Sequence, residues 1–136
     1  MKFNYRKLED SDWGTLVSWW KNWGWKRVIE KDFLPDNGTG GFMVLDGNMP
    51  ICAGFIWISV KSTTAHINFI VSNKNYRKKP QRNDALDFLI ALLEKFAKDQ
   101  GMKYIYTNNN SIHLQKRFEG FGYGYGAKTI DQYRKL

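Results

Sequence analysis

Cysteine and histidine are scarce in this chain, and their scarcity removes several kinds of chemistry. Cys52 is the only cysteine, and His66 and His113 are the only histidines among 136 residues. A lone thiol excludes an intrachain disulfide and a thiolate metal cluster, and two histidines disfavour a histidine-based metal site. Because Cys52 lies in the apolar run ICAGFIWISV, we interpret it as a small buried hydrophobic residue rather than a nucleophile.

Long apolar stretches are also lacking. The longest clear apolar run, 88–93, lies between Asp87 and Glu94 and is far shorter than the ~20 residues of a membrane-spanning helix. The N-terminal sequence MKFNYRKLEDSD has no apolar centre of the kind found in signal peptides. With 43% hydrophobic residues and no low-complexity tract, residues 1–136 are expected to form one cytoplasmic domain without a membrane partner.

Acidic residues are outnumbered by basic ones. The chain has 21 lysines and arginines against 13 acids, which gives a formal net charge of +8. This excess favours an anionic partner, and nucleic acid, an anionic cofactor and an acidic substrate all remain open on charge alone.

The cations concentrate in a basic segment, residues 73–83, with the sequence NKNYRKKPQRN. It joins the apolar run FIVS to an amphipathic run that predicts a helix over 84–99. Its cations, with no acid among them, are Lys74, Arg77, Lys78, Lys79 and Arg82. Since a helix N-terminus carries unpaired N–H groups and the positive end of the helix dipole, this arrangement favours a phosphate-bearing ligand.

Hydrophobic periodicity predicts the element order β–α–(α)–β–β–β–α–β–α–β. The predicted strands cover 3–8, 42–45, 51–60, 65–72, 102–107 and 123–134. The predicted helices are a tryptophan-rich one capped by Asp10 or Ser11, a short one at 27–33, and two more at 84–99 and 111–119. A meander followed by a strand–helix–strand crossover predicts an α/β (α+β) fold with a mixed, mostly antiparallel sheet of about six to seven strands and helices on both faces.

In this order and spacing the chain resembles the GCN5-related N-acetyltransferase (GNAT) superfamily. The resemblance covers nearly the whole chain and is strongest over 51–123. The segments that carry it are FIVS, NYRKKPQRN, ALDFLIALLEKFAKDQG, YIYTNNN, IHLQKRFEG and a Gly-Tyr pair. The tryptophan-rich N-terminal half and the segment FLPDNGTGG are similar to small members encoded by phages or prophages.

The resemblance implies binding of an acyl-CoA, usually acetyl-CoA, and acyl transfer to an amine. In the family, the backbone of a bulged fourth strand binds the pantetheine arm, and a loop and helix start bind the pyrophosphate. The family asparagine that follows the fifth strand corresponds to Asn110, or to Ser111 by spacing. The residues that the resemblance assigns to the cofactor are Phe69, Ile70, Val71, Arg77, Lys78, Lys79, Arg82, Asn83, Asp84 and Asn110.

Two departures from the family pattern bear on activity. The basic segment has no glycine, although family loops use glycine to bring the backbone close to the phosphates. The position of the family's tyrosine acid is occupied by Phe118, which has no proton to give. The candidates that could replace it are His113, Tyr106 and Tyr123.

Five of the six tryptophans lie between positions 13 and 25. Trp13 and Trp20 are predicted to lie in the core, whereas Trp19, Trp23 and Trp25 are predicted to line the groove of the amine acceptor. The alternatives for the latter three are stacking on a nucleobase, beside the neighbouring cations, and a helix pair or a homodimer interface.

Three functions follow from these patterns. The first is an acyl-CoA-dependent N-acyltransferase. The second is a nucleic-acid-directed protein on the same fold, which the net charge favours. The third is a catalytically inactive GNAT-like interaction protein, which the missing glycines and tyrosine favour.

Overall fold

A five-stranded sheet forms the centre of the computed structural model, which describes residues 3–136. The strands lie in chain order across the sheet, and the first four are antiparallel to their neighbours. The last strand pairs with the fourth in parallel, across a helical crossover. The strands are β1 (Asn4–Lys7), β2 (Gly41–Asp46), β3 (Met49–Ile58), β4 (Thr64–Ser72) and β5 (Tyr104–Thr107). The α+β class and the mixed, mostly antiparallel sheet are therefore confirmed.

Within residues 3–136, four helices connect and cover the strands. They are α1 (Trp13–Asn22), the single turn α2 (Pro35–Gly38), α3 (Lys79–Asp99) and α4 (Ile112–Gly120). Short 3-10 turns occur at Asp10–Asp12 and Lys31–Phe33. The predicted short helix at 27–33 is thus reduced to its last three residues.

Two boundaries differ from the sequence predictions. Helix α3 begins at Lys79 rather than near Asp84, because Pro80 occupies its first turn, where proline lacks only an N–H that the helix would leave unpaired. The predicted strand at 123–134 is wrong, since residues 123–136 follow α4 without regular secondary structure. Glycines 122, 124 and 126 weaken a strand start, and the residues from 124 onward are exposed, with Tyr125 67% and Ile130 89% exposed. The sheet therefore has five strands among the described residues.

Each face of the sheet buries its own apolar cluster. On the α3 face, strand residues such as Val44, Cys52 and Ile67 pack with Leu89 and Leu93 of α3. On the α1 face, a second cluster contains Leu16, Trp19, Trp20, Met43 and Phe55. The side chains of Ala65 and Ile67 belong to the α3 face, so the alternation of a strand directs His66 and Asn68 to the α1 face.

A charged pair fixes the start of α1 against the first strand. Asp12 is 6% exposed and accepts hydrogen bonds from both terminal nitrogens of Arg6, at 2.7 and 2.9 Å. It also accepts one from the backbone N–H of Glu9 at 2.8 Å. Asp12 occupies the N-cap position of α1, where the sequence predicts Asp10 or Ser11, but its side chain makes no capping bond to the helix. The Arg6 hydrogen bond and the Glu9 N–H hold the pKa of Asp12 below its ordinary value, against the opposing effect of burial.

Candidate functional site

A β-bulge lies in β4 at the position where the resemblance places it. Ala53 of β3 pairs with Val71 and Phe55 pairs with Asn68, so β4 has one residue more than β3 between these pairs. The extra residue brings Phe69, whose φ is +58°, onto the α1 face beside Asn68. A bulky side chain in this left-handed region is a strained outlier, and such outliers cluster at functional sites.

Strands β4 and β5 separate at the bulge. Their pairing runs from Thr64 with Tyr104 to Ile67 with Thr107 and ends there. Strand β4 continues to Ser72, so the backbone of residues 69–72 has β3 on one side and no paired strand on the other. This edge offers N–H and C=O groups to an extended ligand in the way that a sheet edge accepts an added strand.

A polar network closes the point where the two strands part. Nε2 of His66 lies 2.8 Å from Oδ1 of Asn108, and Nδ2 of Asn68 donates to the same oxygen at 3.1 Å. Oδ1 of Asn68 accepts from the N–H of Phe69 at 2.7 Å, which supports the strained residue. Nδ2 of Asn108 donates to Asp131 at 2.9 Å. These four bonds connect β4, the end of β5 and the C-terminal tail (residues 123–136).

Aromatic rings cover the α1 face next to this network. The rings of Trp20, Trp25, Phe33 and Trp57 all lie with their centroids 5.8–6.3 Å from that of Phe69. Trp25 is 37% exposed, so the cluster reaches the surface. It therefore forms an apolar wall beside the opening between β4 and β5.

The basic segment is held by one buried side chain. Tyr76 is 7% exposed, and its hydroxyl donates to Asp46 at 2.8 Å. Burial and this hydrogen bond raise the pKa of Tyr76 to about 12. Lys78 is 3.8 Å from the same carboxylate, and Arg77 is exposed. Tyr76 thus fixes the chain, and the side chain of Arg77 extends into solvent.

Trp23 connects the end of α1 to the basic segment. Its indole N–H donates to the carbonyl of Ser72 at 2.7 Å, at the end of β4. The ammonium of Lys74 and the guanidinium of Arg82 lie over its ring, at 5.0 and 6.0 Å from the centroid. The ring is already in contact with two cations, so a nucleobase would have to displace them in order to stack there.

The start of α3 is connected to α4 by an arginine that the sequence did not single out. Arg117 donates to the carbonyl and the Oδ1 of Asn83, at 3.1 and 3.2 Å, and to Asp87 at 2.7 Å. Asn83 and Asp84 lie inside α3, so Asn83 does not belong to the loop as predicted and Asp84 is not the first residue of the helix. The side chain of Lys79 lies outside the described part of the structure.

The residues proposed as catalytic from the sequence lie in three different places. His113 is exposed in a shallow depression with Asp87, Lys116 and Arg117, on the outer side of α3 and α4. Tyr123 packs against Phe118 on the α3 face, and its pKa is raised by burial and by nearby Glu94.

Tyr106 is the catalytic candidate that contacts the polar network. Its ring is in edge contact with that of His66, at 5.2 Å between centroids. Phe118, at the family's tyrosine position, is 3% exposed in the core, so it replaces a polar group with an apolar one.

The predicted groove tryptophans also separate. Trp19 is 5% exposed and belongs to the core cluster of the α1 face, whereas Trp23 and Trp25 reach the surface. Asn110 is exposed, and Ser111 caps α4 by accepting from the N–H of Leu114. Of the three consecutive asparagines, Asn108 is the one that bonds to β4.

Sequence reasoning missed His66, Asn68 and Asn108 as a group. Asn68 is a polar residue within the apolar run INFIVS, which was the available signal for it. His66 and Asn108 are 42 positions apart, so no local pattern joins them. Only the parallel pairing of β4 and β5 brings them together.

The remaining features to consider are the single thiol, possible metal ligands and the apolar character of the helices. Cys52 is fully buried and burial raises the pKa of its thiol, which confirms that it is a small core residue. Within residues 3–136, no three His, Cys, Asp or Glu side chains are grouped so that they could bind a metal ion. None of the helices in this part of the chain has the length and apolar character needed to span a bilayer.

Comparison with known proteins gives likeness in structure but not in sequence. No family model and no curated protein matches the chain. Glucosamine-6-phosphate N-acetyltransferase from Arabidopsis thaliana superposes with a TM-score of 0.65 at 14% identity, over 99% of this chain and 100% of that one. AAC(6')-Iy, solved with the bisubstrate analogue CoA-S-monomethyl-acetylneamine, gives 0.65 at 12% identity over 100% of both chains.

A solved protein with a different description has the same fold. A transcriptional regulator from Bacillus halodurans C-125 gives a TM-score of 0.70 at 10% identity, over 98% of this chain and 100% of that one. At such identities the likeness is one of fold. The chain has a GNAT-like α+β fold over nearly its full length.

Proposed function

We propose that the protein is an N-acyltransferase that takes its acyl group from an acyl-CoA, with acetyl-CoA as the first candidate, and transfers it to an amine. The observation that carries this proposal is the opening between β4 and β5 at the bulge of Phe69, which lies next in the chain to the cationic start of α3. A ligand that has amide groups along its length and phosphates beyond them fits both parts.

The backbone of residues 69–72 would hold the pantetheine arm. Its amides can pair with the N–H and C=O groups that β5 leaves unpaired, as an added strand does at a sheet edge. The wall of Trp25, Trp57 and Phe69 excludes water from one side of this opening. Such exclusion strengthens hydrogen bonds and protects a thioester from hydrolysis.

The first turn of α3 would hold the pyrophosphate. Its N–H groups and dipole favour an anion, although Pro80 contributes no N–H. The absence of glycine keeps the backbone farther from the phosphates, and the cations Arg77, Lys78 and Arg82 compensate with charge-assisted hydrogen bonds. Arg82 can turn to a phosphate, because its bond to the carbonyl of Tyr76 is long, at 3.5 Å.

His66 would act as the base that accepts the proton of the amine. Its Nε2 donates to Oδ1 of Asn108, so Nδ1 keeps its lone pair. The amine nitrogen forms a bond to the thioester carbonyl carbon, the carbon–sulfur bond breaks, and CoA leaves as a thiolate. Tyr106 is in contact with His66, whereas Tyr123 and His113 lie on other surfaces. A thiolate leaves without a strong acid, so positioning can supply most of the acceleration.

The test is the release of CoA thiol from acetyl-CoA by the purified protein. A panel that contains an aminosugar, a polyamine, an aromatic amine and a lysine peptide covers the main classes of acceptor. The proposal predicts amine-dependent thiol release above the rate without amine, together with an acetylated product in the mass spectrum. A protein that neither binds nor consumes any CoA ester would overturn it and would favour an inactive interaction protein.

A further inference from the structure

The C-terminal tail crosses the α1 face in an extended form. Asp131, Tyr133 and Lys135 contact Asn108, Phe33 and Glu30 respectively. Contacts at every second residue are the signature of an extended chain that turns one side toward the protein. Five residues in this form reach across ~13 Å, from the end of β5 to the linker between α1 and α2.

This crossing passes beside the opening between β4 and β5. Tyr133 packs on Phe33 at 5.6 Å between centroids, and Phe33 packs on Phe69 of the bulge at 6.0 Å. Lys135 pairs with both oxygens of Glu30, at 3.1 and 3.0 Å. The tail therefore contacts the same aromatic wall and polar network that border the opening.

The bonds that Asn108 makes to Asp131 and to Asn68 together determine how the network is protonated. A carboxylate can only accept hydrogen bonds, so the amide nitrogen of Asn108 faces Asp131 and its oxygen faces His66 and Asn68. That oxygen also only accepts, so Nε2 of His66 must carry the proton. The chain of hydrogen bonds from Asp131 through Asn108 to His66 therefore leaves Nδ1 of His66 as the free acceptor.

We infer that Asp131 is a positioning residue, and that docking of the tail selects the tautomer of His66 that can act as a base. The inference rests on the proposed function for its catalytic meaning, but the selection of the tautomer is a property of the protein alone. When the tail detaches, the bond from Nδ2 of Asn68, at 3.1 Å, remains as the restraint on the Asn108 oxygen, and the amide turns only in the molecules in which that bond breaks. A turned amide presents its N–H groups to Nε2 and favours the tautomer with the proton on Nδ1.

The test follows the imidazole nitrogens by NMR in 15N-labelled protein, at a pH where the ring is neutral. With only two histidines in the chain, the substitution His113→Gln assigns the signals of His66. The full chain is compared with a chain that ends at Ala127, with Asp131→Ala and with Asp131→Glu. The control is Gln132→Ala, because residue 132 alternates to the other side of the extended tail.

The full chain and Gln132→Ala are expected to carry the proton on Nε2. Loss of residues 128–136 or of the Asp131 carboxylate should average the two nitrogen signals, and Asp131→Glu should restore the difference in part. A tail that only covers the face would leave the imidazole signals the same in all chains, and that result would overturn the inference. Because Asp131→Ala removes a single exposed side chain, it serves even if the shortened chain folds poorly.

The thermal shift produced by acetyl-CoA is measured on the same samples. The proposed function predicts a shift both with and without the tail, since the basic segment that would bind the phosphates does not contact the tail. If no chain shows a shift while the imidazole signals respond to Asp131, the acyl-CoA proposal fails and the positioning role of Asp131 stands. If all chains show a thermal shift while the imidazole signals stay unchanged, the acyl-CoA proposal stands and the positioning role of Asp131 fails.

Discussion

Asn68 holds its neighbour Phe69 in a backbone conformation that phenylalanine rarely adopts. The N–H of Phe69 donates to Oδ1 of Asn68 at 2.7 Å, and the φ of Phe69 is +58°. The local strain and its support lie at the point where β4 leaves β5. The opening proposed for acyl-CoA is thus produced by the strand itself, and the strain should be measurable.

The strain can be isolated by comparing glycine with alanine at position 69. Both substitutions remove the ring and its aromatic contacts, so their difference reports the backbone. In the left-handed region an L-residue costs about 1–2 kcal/mol, which outweighs the entropic cost of glycine of about 0.5–1 kcal/mol. We therefore expect Phe69→Gly to be more stable than Phe69→Ala by about 0.5–1 kcal/mol in urea unfolding.

The control for this comparison is Thr64, an exposed residue at the start of the same strand. There the order should reverse, with Thr64→Ala more stable than Thr64→Gly, because a strand normally disfavours glycine. If alanine were also the more stable residue at position 69, the bulge would carry no left-handed strain.

Substitution of each histidine distinguishes His113, the catalytic candidate predicted from the sequence, from His66, the base that the geometry favours. His66→Ala is expected to lower kcat for amine-dependent CoA release by about 100-fold, the lower end of general-base catalysis. The KM for acetyl-CoA should not change, since His66 lies outside the basic segment. His113→Ala should change kcat little, because His113 lies in a depression on the other side of α3 and α4. Loss of activity in His113→Ala with activity retained in His66→Ala would reverse the assignment.

The Arg6–Asp12 pair should make stability depend on acidic pH. The folded-state pKa of Asp12 is lowered, so its contribution is complete above its ordinary value of about 3.9 and is lost as pH falls through the folded-state pKa. We expect Asp12→Asn to cost about 2 kcal/mol at pH 7 and equally at pH 5. At pH 3 the difference between the two proteins should shrink, as urea midpoints would show.

An exposed pair provides the comparison for Asp12. Lys95 and Asp99 are 2.9 Å apart on the surface of α3, one turn from each other. Asp99→Asn should change the urea midpoint little at any pH, since water screens such pairs. A difference for Asp12→Asn that stayed constant down to pH 3 would contradict the lowered pKa.

The sequence predicts the meander and the β4–α3–β5 crossover because both depend on apolar runs with clear periods. It also predicts the bulged segment at Phe69 through family resemblance. It does not predict the start of α3, since the pattern places Pro80 in a loop although proline is favoured in a first helical turn. Nor does it predict the network of His66 and Asn108, which are distant in the chain and meet only through parallel strand pairing.

The tail shows a different limit of sequence reasoning. The run from Tyr123 to Arg134, with its glycine-rich start, is predicted as a strand, yet the tail makes its contacts through the side chains of Asp131, Tyr133 and Lys135 rather than through a strand ladder. Polar side-chain contacts of this kind depend on where the fold places the tail, and they leave no periodic apolar pattern in the sequence. The nucleic-acid partner and the homodimer remain predictions.

The most direct test of the central claim is calorimetric titration of acetyl-CoA into two triple variants and the unaltered protein. One variant reverses Arg77, Lys78 and Arg82 to Glu. The other reverses Lys61, Lys98 and Lys103 to Glu, so both lose the same net charge and differ only in its place. We predict that the unaltered protein and the second variant bind acetyl-CoA alike, whereas the first binds at least about tenfold more weakly, the loss of one or more charge-assisted hydrogen bonds. Equal affinities of the two variants, or no binding by the unaltered protein, would contradict a CoA site at the start of α3.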